Sequence, residues 1–374
     1  MAETKFKFYE YILYWIVTII ILILAIPIII GKFLIFLVKA TGAPLKSGKN
    51  FAGFVLVVII AIAVLIGYKI YVPYRIGDKT ISITVDKKDS FAAVLTQLTE
   101  KKVLHDARLF RAMSVITGLD KTISPGRYDF SGEVSLSSIA EKFRRRDIAT
   151  FMVTIPEGLT VWEIAVIISN NTDIDSASFY NRACDTAYTM ENYNLEGLEG
   201  FLFPETYRFW YQIELDEIIE IMVDEYRRQT ERLNFDDAPN NLSEKEIVIL
   251  ASIIEAEARD GSELGKISSV YNNRLSKKMR LQADPTVIYA LGGLDRPLWF
   301  RDLEYDSPYN TYKYRGLPPG PINSPGLAAI KAALNPETTD FLYFVADGTG
   351  KHIFSKTLRE HNRARSRIKK SNRK

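Results

Sequence analysis

The sequence is poor in side chains that bind metals or cross-link chains. It has one cysteine, Cys184, so an intrachain disulfide is excluded. With no histidine beside it, that thiol reads as a packing residue. Exported proteins often carry disulfides but need not. The three histidines, His105, His352 and His361, are scattered. There is no HExxH pattern and no cysteine pair, so neither a metal site nor a cofactor is expected. A large excess of charge of one sign is missing too. The net charge is +3 over 374 residues, which gives no reason to expect a nucleic-acid partner. Residues 363–374, RARSRIKKSNRK, are the local exception, with seven basic residues and no acid. That segment reads as a disordered solubilising terminus or as a tail for anionic polymers.

Charge is absent altogether from two runs. Tyr11 to Gly31 is 21 residues without a charged side chain, and Phe51 to Tyr68 is 18. As a helix the first would be about 31 Å long, which suits a bilayer core. Neither run has a polar face, and no small-residue cleavage site follows the first. Two transmembrane helices are therefore expected in region 1–78, at about 11–31 and 51–72. The loop between them holds Lys32, Lys39, Lys46 and Lys49 and no acid, whereas Lys5 and Lys7 are balanced by Glu3 and Glu10. The positive-inside rule makes that loop cytoplasmic. It places about 300 residues, Pro73 to Lys374, on the outer face of the cell membrane.

The polar region that follows reads as α+β. ITVDKKDSFAAVLTQL, from Ile83, and VTIPEGLTVWEIAVII, from Val153, are alike at an offset of 70 residues. Val85 matches Ile155, Phe91 matches Val161, Val94 matches Ile164, Leu98 matches Ile168 and Phe110 matches Tyr180. Each segment predicts a strand, a turn, an amphipathic helix and a second helix. Thr160 and Glu163 have capping-box spacing. Between the two segments, ISPGRYDF reads as a turn into a strand, and SLSSIAEKFRRR as a helix ending near Arg144 to Arg146.

LSEKEIVILASIIEAEA, Leu242 to Ala258, sets carboxylates among apolar side chains. Ser243 and Glu246 form a second capping box, so a helix begins there. At 100° per residue its apolar residues cover nearly the whole circumference, which is the pattern of a buried helix. Glu255 falls between Ala251 and Val248. Glu257 falls between Leu250 and Ile253, roughly 160° away by the same geometry. Burial raises a carboxylate pKa toward the range of a general acid. The bland reading is a Glu–Arg ion pair. Beyond this helix lie MRLQADPTVIYALG (279–292), SPYNTYKYRGLPPGPINSPG (307–326) and FLYFVADGTGKHIFSKTLREHNRA (341–364). The middle segment is dense in Pro, Gly, Tyr and Asn. That composition makes rigid, irregular loops suited to a sugar polymer.

TIPEGLT, LEGFLFPETY, LASIIEAEA, YNNRL, MRLQADPTVIYALG, SPYNTY, GLPPGPINSPG and LYFVADGTGKHIFSKTLREHN occur in that order over about Ile81 to Ala364. In these segments the chain resembles the endolytic murein transglycosylases, or YceG-like proteins. The resemblance implies a LysM-like subdomain at 80–150, a mixed α+β catalytic domain at 151–364, and a basic tail at 365–374. It also implies cleavage of nascent peptidoglycan glycan strands at the membrane, near glycan-synthesis or division complexes. The family's catalytic glutamate corresponds to Glu255. Glu257 is the second acidic position, and Gln282, Asp284, Thr286, Tyr309 and Asn310 match motif positions expected to bind substrate. The family usually shows one membrane span, where this sequence predicts two.

The implied chemistry is lytic. Glu255 acts as acid and then base, and the product ends in 1,6-anhydro-MurNAc. Two alternatives remain at this stage. One is a water-using muramidase with a second carboxylate, such as Asp284, as base. The other is a non-catalytic glycan-binding scaffold.

Overall fold

A computed structural model describes residues 48–258 and 261–371, together with Lys32. The first expected membrane span lies outside the described residues. The second falls on helix α1 (Gly48–Tyr71). Side chains along α1 are described at Leu56 and from Val58 onward, and Leu56, Ile59, Ile62 and Leu65 are exposed. Among the described residues no helix is long and apolar enough to cross a membrane.

The chain divides into two compact units, 1–148 and 149–374. In the first, β1 (Tyr74–Val85) pairs antiparallel with β2 (Gly126–Val134), from Tyr74 opposite Val134 to Val85 opposite Gly126. The helices α2 (Phe91–Glu100), α3 (Ala107–Thr117) and α4 (Leu136–Arg144) complete this unit. Alternation along the strands sends Ile83, Val85, Tyr128 and Phe130 inward. They meet Val94, Leu98, Phe110, Ile139 and Phe143 in one core.

The second unit opens with β3 (Thr150–Thr154), α5 (Val161–Asn171), α6 (Ser176–Cys184) and α7 (Thr186–Tyr193). Its β3 pairs antiparallel with β4 (Thr206–Trp210), and α8 (Leu215–Thr230) follows. The two similar segments therefore both form a strand and two helices, β1–α2–α3 and β3–α5–α6. The matched residues Val85 and Ile155, Val94 and Ile164, and Leu98 and Ile168 are all buried, whereas Phe110 is buried and its match Tyr180 is exposed. Cys184 departs from its expected packing role. It is exposed, because it falls at the end of α6 and on its outer side.

The rest of this unit is built around α9 (Glu244–Glu257), with α10 (Leu264–Ser276), α11 (Asp284–Ala290), α12 (Leu327–Leu334) and the antiparallel hairpin β5 (Tyr343–Ala346)–β6 (His352–Ser355). Every residue of α9 from Ile247 to Ile254 is buried. They join Ile267, Tyr271, Leu281, Ile322 and Ile330 in the core that carries the site. Burying each Ile or Leu of this kind stabilises the fold by roughly 1.5–3 kcal/mol. The basic C-terminal stretch is not disordered as expected but helical through Ser371, as α13 (Leu358–Ser371).

Candidate active site around Glu255

The helix that carries Glu255 starts where the sequence indicates. Ser243 Oγ accepts from Glu246 N at 3.4 Å, and Glu246 Oε2 accepts from Ser243 N at 2.8 Å. The other end is tied down by a buried serine. Ser252 Oγ accepts from Ile322 N at 3.1 Å, and its carbonyl accepts from Asn323 Nδ2 at 2.9 Å. These bonds dock the GPINSPG loop on the last turn of α9, where Glu255 leaves the apolar core.

Glu255 is part-buried. Its Oε2 accepts from Gly326 N at 3.1 Å. Burial raises its pKa, the Gly326 N–H works against that, and the nearby charge of Glu157 adds to the rise. Among the described residues no ion pair involves Glu255, so the Glu–Arg reading does not describe it. One carboxyl oxygen is thus held by a peptide N–H, and the group is biased toward keeping a proton.

Glu257 faces a different environment, as its place on the helical wheel requires. Its Oε1 accepts from Tyr271 OH at 3.0 Å. Burial pushes its pKa up to about 7, with Asp284 adding to the rise and Arg274 opposing it. Arg274 is itself buried and donates to the carbonyls of Leu342 and Leu281. Tyr312 OH donates to Asp284 Oδ1. The structure therefore groups Glu257 with Asp284, Tyr271, Arg274 and Tyr312, and places Glu157 and Gly326 beside Glu255.

The other candidates divide by exposure. Gln282 and Asp284 are exposed. Gln282 adopts a φ of 51°, a strained conformation for a residue that is not glycine. Tyr309 is part-buried, with its ring 5.0 Å from that of Tyr289. Thr286 and Asn310 are fully buried, and their polar atoms are used internally. Thr286 Oγ1 donates to Ala283 O at 2.7 Å. Asn310 Nδ2 donates to the carbonyls of Leu303 and Tyr305, and its Oδ1 accepts from Tyr312 N. As placed, these two side chains shape the loops.

Two acids not singled out in the sequence also belong to this region. Glu199, in LEGF, accepts from Val161 N and from Tyr289 OH, both at 3.1 Å. Burial lifts its pKa to about 7. It fastens the LEGF turn to the start of α5 and to α11. Next to it, Gly200 has a φ of +85°, and a Cβ there would lie 2.6 Å from Pro321. A glycine is required for that close approach. Glu157, in TIPEGLT, lies on the loop between β3 and α5. That loop is held to GPINSPG by Gly158 N to Ser324 O at 2.9 Å and Ser324 N to Leu159 O at 2.8 Å. Both acids lie in motifs recognisable in the sequence, but no local pattern marks them, because tertiary contacts create their surroundings.

Glu255 is thus a part-desolvated carboxyl group gripped by one backbone N–H, at the junction of a buried helix and a proline- and glycine-rich loop. The YceG-like family model matches residues 83–367, and the chain belongs to that family. An endolytic murein transglycosylase of Bacillus subtilis is 35% identical over 327 residues, covering 83% of this chain and 91% of that protein. One from Streptococcus pneumoniae is 30% identical over 238 residues, covering 56% of this chain and 43% of that protein. The crystal structure of a yceG-like protein from Listeria monocytogenes matches with a TM-score of 0.53 and 34% identity, covering 77% of this chain and 99% of that one.

Proposed function

We propose that the chain is a peptidoglycan lytic transglycosylase with Glu255 as its acid and base. The observation that carries this reading is the Glu255 carboxyl itself, with one oxygen held by Gly326 N–H and its pKa raised by burial. The names of the curated relatives supply the substrate class. Protonated Glu255 gives its proton to the oxygen linking MurNAc to GlcNAc, and the C1–O bond breaks. Positive charge develops on the MurNAc ring. The 6-hydroxyl of the same sugar attacks C1, and its proton passes to the Glu255 carboxylate. The chain is cut internally, the new end is 1,6-anhydro-MurNAc, and the acid is regenerated.

Using the sugar's own hydroxyl as nucleophile makes the second step intramolecular, which lowers its entropic cost. One carboxyl group then serves both proton transfers. The Gly326 N–H favours the carboxylate formed midway. The apolar runs Tyr11 to Gly31 and Phe51 to Tyr68 support anchoring in the cell membrane, with the enzyme on the outer face beside nascent glycan strands. A LysM-like first unit would hold the strand there, next to synthesis or division complexes.

The test is the product. Full-length protein in detergent is incubated with peptidoglycan, and the new ends are identified by mass spectrometry. Anhydro-MurNAc ends, lighter by one water than reducing ends, are expected. Reducing ends alone would make the enzyme a hydrolase.

A further inference from the structure

Gly326 has an ordinary extended backbone, with φ −73° and ψ 165°, so conformational freedom does not explain a glycine there. Space does. A Cβ on Gly326 would lie 1.8 Å from Glu157 Oε1 and 2.2 Å from its Cδ. The same residue's N–H holds Glu255 Oε2. Glu157 and Glu255 therefore flank a single peptide, one against its Cα and one on its N–H. On the Glu157 side, a Cβ at Gly158 would come within 3.7 Å of Glu255 Cγ. The pairing of Leu159 with Ser324 fixes the two loops against each other. Glu157 is exposed, with no basic partner among the described ion pairs, and so reaches solvent at the site.

We propose that Glu157 is a second acidic residue of the active site, seated in the space left by Gly326, where its negative charge positions and tunes Glu255 during proton transfer to the glycan. This deepens the lytic reading and rests on it. Two carboxylates so placed disfavour simultaneous ionisation, so the charge of Glu157 helps Glu255 keep its proton. The same charge favours the positive charge developing on the sugar ring over the neutral ground state. Glu157 forms no bond and moves no proton.

The other charged groups near the C-terminal half of α9 have other partners or are exposed. Asp284 of α11 and Arg274 and Tyr271 of α10 bear on Glu257. Lys331 of α12 is exposed. Glu199 bonds to α5 and α11. Among the described residues, Glu157 is the charge that bears on Glu255.

The test measures kcat and KM for anhydro-end formation by the full-length protein in detergent, across pH. Glu157→Gln keeps size and hydrogen-bonding capacity but removes charge. We expect it to lower kcat about 10- to 100-fold with KM nearly unchanged. It should also move the alkaline limb of the kcat profile to lower pH, because Glu255 then loses its proton more readily. Glu157→Asp should retain more activity than Glu157→Gln. Gly326→Ala displaces the carboxylate without removing it and should reproduce the loss. Added to Glu157→Ala, it should cost little more, so the two sites are coupled. Wild-type kcat and an unmoved limb in Glu157→Gln would overturn the proposal. So would an undiminished effect of Gly326→Ala in the Glu157→Ala background. Glu255→Gln runs beside them: if it stays active the lytic reading itself fails, whereas if it is dead while Glu157→Gln is normal, only the role of Glu157 fails.

Discussion

Three glutamates in this region are given different surroundings by the fold. Glu255 is part-buried and held by one peptide N–H, Glu257 is bonded to Tyr271, and Glu199 is bonded to Val161 N and Tyr289. Burial biases all three toward the protonated form, and of the three only Glu255 is held by the GPINSPG loop. Glu255 and Glu257 were legible because carboxylates stood out against an apolar helix. Glu157 and Glu199 were not, because what distinguishes them is a contact with residues far along the chain, Gly326 for one and Tyr289 for the other. Asn310 illustrates the converse. It occupies a motif position, yet its three side-chain hydrogen bonds are all internal. Asn310→Ala should lower stability by about 2–3 kcal/mol, read as a shifted denaturation midpoint, because two carbonyls and an N–H lose their partners.

At the level of elements, capping chemistry carried across best. The boxes at Ser243–Glu246 and Thr160–Glu163 both form, since each is a local bond set independent of tertiary context. Ser243→Ala should cost about 1 kcal/mol, measured by chemical denaturation, with Glu255 chemistry otherwise intact. The loop before α11 was less legible. Nothing in LQADPT announces that Gln282 takes a positive φ, because Gln has no preference for that region. Strain of this kind persists at functional sites when the side chain is needed. Gln282→Gly should therefore raise the thermal midpoint, by relief of roughly 1 kcal/mol of strain, while lowering turnover of glycan. A variant that gains neither stability nor loses activity would show that Gln282 is a passive turn residue.

At the scale of the whole molecule, the second unit stores two buried acids whose pKa values sit at about 7, Glu199 and Glu257. The sign of their effect on stability follows from linkage. In the unfolded chain they ionise near the ordinary 4.5, and in the folded chain only near 7. Stability is therefore undiminished below the unfolded value, falls as pH rises from about 4.5 to about 7, and then levels off. The loss is at most roughly 3 kcal/mol per group. Glu199→Gln and Glu257→Gln should each flatten the thermal midpoint against pH across that window, and the double variant more so. The α+β class and the strand–helix–helix repeats were legible from periodicity. The pairing of loops 155–160 and 322–326, which builds the site, was not, because it joins segments more than 150 residues apart through backbone bonds that side-chain patterns do not encode.

All of this converges on one proton carried by Glu255. The most direct test is the rate at which full-length Glu255→Gln protein releases 1,6-anhydro-MurNAc ends from peptidoglycan, set against the wild type at equal concentration. Loss of a general acid–base group predicts a fall of about 10²- to 10⁴-fold, with an unchanged melting profile. Anhydro ends released at the wild-type rate would contradict the account.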